Sequence, residues 1–354
     1  FFITICAASG SGGMEVKMRK IKIAQIGAGH DHASAAITTL KLQNDIYDLV
    51  GYAVVEGDQS TFESNKWAYE NVNQMTVEEI LNVSELDAVC IETEDRRLTE
   101  YAIRAAEMGL HIHMDKPGSE SDEDFDRLID LVKNKNLVFH MGYMYRYNPA
   151  VIKLKEDIKS GRLGEIYSVE AQMSCTHPPE KRQWLGNYPG GMLYFLGCHL
   201  IDLVYSICGT PEEVIPLSTS TGTDGVDAKD FGMAVFKYKN GVSFVKSTAV
   251  EFGGFERRQL VVCGTKGTVE LKPLEWFSDE CPGMFSPLTT GVREAFDENW
   301  HAKGEYHDTP VYGRYDAMFR SFAAYVNGEK KNPFDYEYER KLHKLILKAC
   351  GKDV

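Results

Sequence analysis

From Lys20 onward the chain moves between two hydrophobic periods. Residues 21–26, Ile-Lys-Ile-Ala-Gln-Ile, predict a short strand that runs straight into Gly27-Ala28-Gly29, and 32–42 predicts a helix behind it. A second strand is expected over 49–55. Thr76, with Glu79 three residues on, has the pattern of a capping box opening a short helix to about residue 82. Residues 86–91 are almost continuously apolar, the mark of a strand covered on both faces. A helix over 98–108 stops at Gly109, a strand over 111–114 ends at Asp115-Lys116-Pro117, and Ser121 caps a further helix. Residues 137–141 close the run. Strands and helices alternating at these lengths predict a doubly wound parallel sheet.

After about Tyr143 the grammar changes. Helices are expected over 149–158 and, as one longer segment, over 190–207, with a strand over 166–173. Residues 231–238 and 242–250 flank Asn240-Gly241, which predicts a hairpin closed by a type I′ turn, because Asn-Gly tolerates the positive φ angles such a turn needs. Strands over 260–263 and 268–271 and helices over 314–326 and 336–349 complete an α+β second domain with a largely antiparallel sheet. Residues 274–310 carry no pattern that reads as an element. The expected division is 18–142 for the first domain and 143–354 for the second. Residues 1–17 read as a cloning remnant or a leader and stand outside the fold.

Composition narrows the function classes. The chain has 354 residues and a formal net charge of −13, which disfavours sequence-independent nucleic-acid binding and anionic membrane surfaces. No apolar run approaches the roughly 20 residues that cross a bilayer. Eight cysteines, without a CxxC pair or metal-type spacing, predict free thiols in a reducing cytoplasm. A small molecule is the expected partner.

Four segments could carry chemistry. Gly27 and Gly29, between strand and helix, would let backbone N–H groups approach a pyrophosphate at a helix N-terminus, or simply make a tight turn. His30 is a candidate phosphate contact, and His32 stands where a third glycine would. The His30-Asp31-His32 run is not read as a metal site, since neighbouring residues on a helix diverge. Glu56, with Asp58 behind it, is the candidate acid at the end of the second strand, where a carboxylate holds adenosine ribose hydroxyls and repels a 2′-phosphate; NAD is therefore favoured over NADP. Turn chemistry explains Glu56-Gly57-Asp58 equally well. Asp115-Lys116-Pro117 ends a buried strand at the edge where such sheets bind ligands, and Lys116 there could donate to a reacting hydroxyl. His199 lies amid apolar residues on a helix, as catalytic base or satisfied core histidine, with Asp202 three residues on to orient it or simply to form a structural contact.

In this order, Gly27-Ala28-Gly29, Asp115-Lys116-Pro117 and Gly190-Gly191…His199-Leu200-Ile201-Asp202 resemble the Gfo/Idh/MocA oxidoreductases. Tyr145-Arg146-Tyr147-Asn148-Pro149, Gly161-Arg162-Leu163-Gly164-Glu165-Ile166 and Gly264-Thr265-Lys266-Gly267-Thr268 support the resemblance, which spans about residues 20 to 350. It implies an N-terminal Rossmann domain, a C-terminal open sheet that mediates homodimers or homotetramers, and hydride transfer between a nicotinamide and a hydroxyl carbon of a sugar or cyclitol. It further implies Lys116 and His199 as catalytic groups, a cis bond before Pro117, and Thr93 and Glu94 beside the cofactor. Arg146, His177, Trp184 and Asp202 are the substrate-side candidates. The chain departs from the family pattern at Phe195, where many members carry an aspartate one turn before the histidine, and at Thr93-Glu94-Asp95, where Thr-Pro-Asn is common. These departures keep two alternatives open: an NAD-using glycosidase or lyase without net redox, and a nicotinamide-sensing regulator.

Overall fold

The computed structural model describes residues 19–279, 281–292 and 304–354; the segment read as a remnant or leader lies outside them. Five strands, β1 (Ile21–Ile26), β2 (Tyr47–Ala53), β3 (Ala88–Ile91), β4 (His111–Met114) and β5 (Phe139–Met141), form one parallel sheet in the order β2-β1-β3-β4-β5. Every residue of β3 is buried, as its unbroken apolar run predicts. Helices Ala33–Leu42, Leu98–Glu107 and Asp122–Asn134 are among those that connect the strands. The Thr76 capping box is present with both reciprocal bonds, and the Ser121 side chain accepts the Asp124 N–H.

The second sheet has eight strands: β6 (Ile166–Gln172), β7 (Glu213–Pro216), β8 (Phe231–Tyr238), β9 (Gly241–Thr248), β10 (Gln259–Gly264), β11 (Gly267–Leu271), β14 (Pro287–Val292) and β15 (Glu305–Asp308); β12 (Trp276–Phe277) and β13 (Met284–Phe285) pair separately. Only β6 and β9 run parallel among its neighbours. Strands β12 to β15 occupy the stretch that showed no sequence pattern; two are only two residues long and β15 is exposed throughout, so no alternation marks them.

Two expectations are corrected. The β8–β9 hairpin forms, but Tyr238 pairs with Gly241, so the loop is Lys239-Asn240 and neither residue has a positive φ. Gly241 serves the sheet instead: a Cβ there would stand 1.9 Å from the Tyr167 carbonyl oxygen of the neighbouring strand. The segment over 190–207 is two helices, Met192–Phe195 and Cys198–Cys208, interrupted at Leu196-Gly197. Phe195 and His199 therefore do not share one helix face.

The last two helices, Asp316–Val326 and Tyr336–Ala349, return to the first domain. Tyr47 donates to the Phe319 carbonyl, and the His343 ring stacks on Phe125 at 4.1 Å. These contacts hold the C-terminal segment against β2 and the helix Asp122–Asn134 of the first domain. The described cysteines are free thiols, and no described helix is long and apolar enough to cross a membrane.

Candidate active site at the carboxyl edge of the parallel sheet

The site begins where β1 ends. Gly27 has φ +97°, and a Cβ on it would lie 2.3 Å from the Thr93 nitrogen, so glycine is required. The turn amides are taken up locally. Ala28 N–H donates to Asp58 Oδ2 at 2.7 Å, and those of Gly29 and His30 donate to the Glu92 carbonyl. Asp58 also accepts from Val55 and Glu94, and it approaches so closely that a Cβ on Gly29 would be 2.0 Å from Oδ1. Of the two acids after β2, the buried Asp58 closes on the turn. Glu56 turns outward, its side chain 96% exposed, with Arg97 3.8 Å away. The Glu56-Gly57 turn carries the Glu56 side chain into solvent.

The helix does not start until Ala33, so His30, Asp31 and His32 lie in a turn and their side chains need not diverge. His30 is fully buried. Its Nδ1 stands 3.3 Å from Asp115 Oδ2 and 3.6 Å from Glu92 Oε2, and its Nε2 is 3.7 Å from Asp95 Oδ1. His32 Nδ1 is 3.1 Å from Asp115 Oδ2. Glu92 and Asp115 follow β3 and β4 directly, whose last residues Ile91 and Met114 are partners in the sheet. The expectation that this histidine run diverges is overturned by the late helix start. Burial pushes His32 down to about 4 against the pull of Asp115, and burial together with Asp115 holds Glu92 well above the usual carboxylate range.

Lys116 follows on the same edge, 1% exposed, with a cis bond to Pro117. Its Nζ donates to the Phe195 carbonyl at 3.1 Å and sits 4.6 Å from the Phe195 ring centroid. Burial lowers its pKa, but Asp95 and Asp115 outweigh that, so the amine stays an ammonium above its ordinary value. His199 is buried between the edges of Tyr143 and Tyr145, at 5.8 and 5.3 Å, and neither ring nitrogen has a hydrogen-bond partner. Burial, then the charge of Lys116, keeps its pKa well below the ordinary imidazole value. Lys116 is thus a donor and His199 a neutral acceptor. Around Phe195 stand Trp184, at 5.4 Å, and His177, at 6.3 Å, with Lys181 3.8 Å above the Trp184 ring.

Thr93 is buried behind the turn, and Glu94 accepts from Tyr188 and Arg96. Arg146 and Asp202 are not at the site. They bind each other, with Nε at 3.0 Å and Nη2 at 2.8 Å, and Arg146 also binds Glu339 beneath the Phe334 ring. Pairing of two buried charges accounts for both, so Asp202 orients Arg146 rather than His199. Glu92, Asp95 and Asp58 were missed or ranked second by sequence reading. The available signal was an acid immediately after a fully apolar strand, as at Glu92.

A parallel sheet with glycine turn, strand-end lysine and helix-borne histidine defines a dinucleotide-type oxidoreductase architecture. The chain matches the family described as "Oxidoreductase family, NAD-binding Rossmann fold" over residues 21–143 and the GFO/IDH/MocA C-terminal domain over 151–270. It belongs to the Gfo/Idh/MocA oxidoreductase family. An uncharacterised oxidoreductase of Schizosaccharomyces pombe is 30% identical over 201 residues, covering 56% of this chain and 54% of the relative. A levoglucosan dehydrogenase of Pseudarthrobacter phenanthrenivorans is 28% identical over 219 residues, 54% of this chain and 56% of the relative. The matches thus span about half the length of these curated relatives. A solved levoglucosan dehydrogenase, in complex with NADH and levoglucosan, shares the fold with a TM-score of 0.75 at 19% identity, covering 94% of this chain and 97% of that one.

Proposed function

We propose that the chain is a nicotinamide-dependent oxidoreductase acting on a hydroxyl carbon of a small carbohydrate or cyclitol, with NAD preferred over NADP. The observation that carries this reading is the buried pair of Lys116, held as an ammonium, and His199, with two unpartnered nitrogens, on the edge that also bears the glycine turn. Glycine is required at 27, between strand and helix, and the acids after β2, Glu56 and Asp58, disfavour a 2′-phosphate near that strand end. Gly27, Gly29, Thr93, Glu94, Asp115 and Pro117 would line the dinucleotide. When bound, the nicotinamide supplies the hydride acceptor or donor.

The chain's own residues do the rest. Lys116 Nζ exchanges the Phe195 carbonyl for the substrate oxygen and stabilises negative charge developing there. His199 accepts the hydroxyl proton on a free ring nitrogen, and the rings of Tyr143 and Tyr145 fix its plane and exclude water. His177, Lys181 and Trp184 would meet the substrate at the mouth. A relative that acts on levoglucosan supports the carbohydrate class.

The test is a screen of aldoses, anhydrosugars and cyclitols with NAD, read as NADH absorbance, on the parent chain and Lys116→Ala. Turnover should fall by roughly 10²-fold or more in the variant, with NADH binding changed only a few-fold. Full activity in Lys116→Ala, or no oxidation of any compound of these classes by the parent, would remove the proposal.

A further inference from the structure

The acids and histidines around the glycine turn exceed what a dinucleotide turn calls for. We propose that His30, His32, Glu92 and Asp115 form a binding site for one divalent transition-metal ion. Glu92 and Asp115 end adjacent strands, and the two histidines come from the turn after β1, which lies beside β3 in the sheet. Three consecutive strands therefore deliver all four side chains to one point on the carboxyl edge.

Geometry supports the assignment. Donor atoms of His30, His32 and Asp115 all lie within 4.8 Å of one another. The separations run from 3.1 Å for His32–Asp115 through 3.3 Å for His30–Asp115 to 3.6 Å for His30–Glu92. Ligands about 2.1 Å from a tetrahedral ion lie about 3.4 Å apart, so the cluster already has the spacing of a coordination shell. Two of these contacts converge on the same oxygen, Asp115 Oδ2.

An unmet polar group is the independent observation. Glu92 Oε2, 3.6 Å from His30 Nδ1, is buried without a hydrogen-bond partner and faces the cluster. A desolvated group of this kind is costly unless something pairs with it. The carboxyl groups of Glu92 and Asp115 are both buried here. A cation there would give Glu92 Oε2 a partner and offset the charge of Asp115. His30 Nδ1 now receives the His32 amide at 3.1 Å, a bond that coordination through Nδ1 would replace. Two imidazoles with carboxylates favour zinc or a neighbouring first-row ion over magnesium or calcium, which take oxygen ligands.

A second cluster shares one member: Cys90, Glu92 and His113 are also close, with Cys90 Sγ 3.5 Å from Glu92 Oε1. His113 Nδ1 is 2.7 Å from His140 Nδ1, which leaves its Nε2 as the ligand atom of that arrangement. The two arrangements separate by mutation. The site stands on these side chains alone and does not require that hydride transfer be the reaction.

The experiment uses the full chain without a polyhistidine tag, stripped with EDTA, dialysed and titrated with Co²⁺ and then with Zn²⁺ as competitor. Expected are visible d–d absorption saturating at about one Co²⁺ per chain and displacement by Zn²⁺. His32→Gln and Asp115→Asn, each checked by circular dichroism for an unchanged fold, should weaken uptake about 100-fold or more. Cys90→Ser should leave it unchanged. The absence of stoichiometric uptake by the parent, uptake undiminished in both folded variants, or its loss in Cys90→Ser would overturn the proposal.

Discussion

Acid should loosen the packing of helix Tyr336–Ala349 on helix Asp122–Asn134 through one buried imidazole. His343 is 2% exposed and stacked on Phe125, and its Nε2 donates to the Ser119 carbonyl at 2.7 Å. Nδ1 has no hydrogen-bond partner, and burial lowers the pKa from 6.5 to about 4. The folded chain thus keeps His343 neutral while the unfolded chain takes a proton below pH 6.5. Its contribution is fully present above pH 6.5 and is lost as pH falls toward 4. From pH 7 to pH 5 the loss is about 2 kcal/mol, and it reaches about 3 kcal/mol once both states are protonated. Other groups titrate in the same interval, so the assay compares the parent with His343→Gln, which retains an N–H donor but no titration. Urea unfolding followed by circular dichroism should show the parent's advantage shrinking by about 2 kcal/mol between pH 7 and pH 5. An advantage that does not change with pH would refute the neutral buried state of His343.

Arg146→Met should lower stability by about 3–5 kcal/mol, visible as a drop in melting temperature, because it leaves Asp202 and Glu339 buried without their partner. A variant as stable as the parent would show that the pair contributes nothing. Gly29→Ala places a methyl 2.0 Å from Asp58 Oδ1, so NADH affinity should fall about tenfold or more as the turn is forced open. Unchanged affinity would mean that Asp58 is free to move and does not shape the turn.

Much of the fold was legible because its signals are local. The Thr76 capping box, the Ser121 cap and the fully apolar β3 each depend on residues within one turn or strand. Strand β2 slipped by two residues, Tyr47–Ala53 against 49–55, because Val54 and Val55 continue the apolar pattern beyond the ladder. The Asn-Gly hairpin erred for a nonlocal reason: Gly241 answers to the close approach of Tyr167, which the neighbouring sequence does not disclose. Lys116 was legible as a strand-end lysine because the short strand before it is local, and it does follow β4 directly. Of the two roles open for Asp202 the structure shows the structural contact, whose partner Arg146, 56 residues away, no local pattern discloses. The convergence of His30 and His32 depended on where the helix begins, which propensity fixes only to within a residue or two.

The most direct measurement is a fluorescence titration of cofactor-free protein with NADH and, separately, NADPH. Saturable binding of NADH, tighter than that of NADPH, is predicted from the glycine turn and the acids after β2, Glu56 and Asp58. Binding of neither nucleotide by folded protein would contradict a nicotinamide-dependent function for this edge of the sheet.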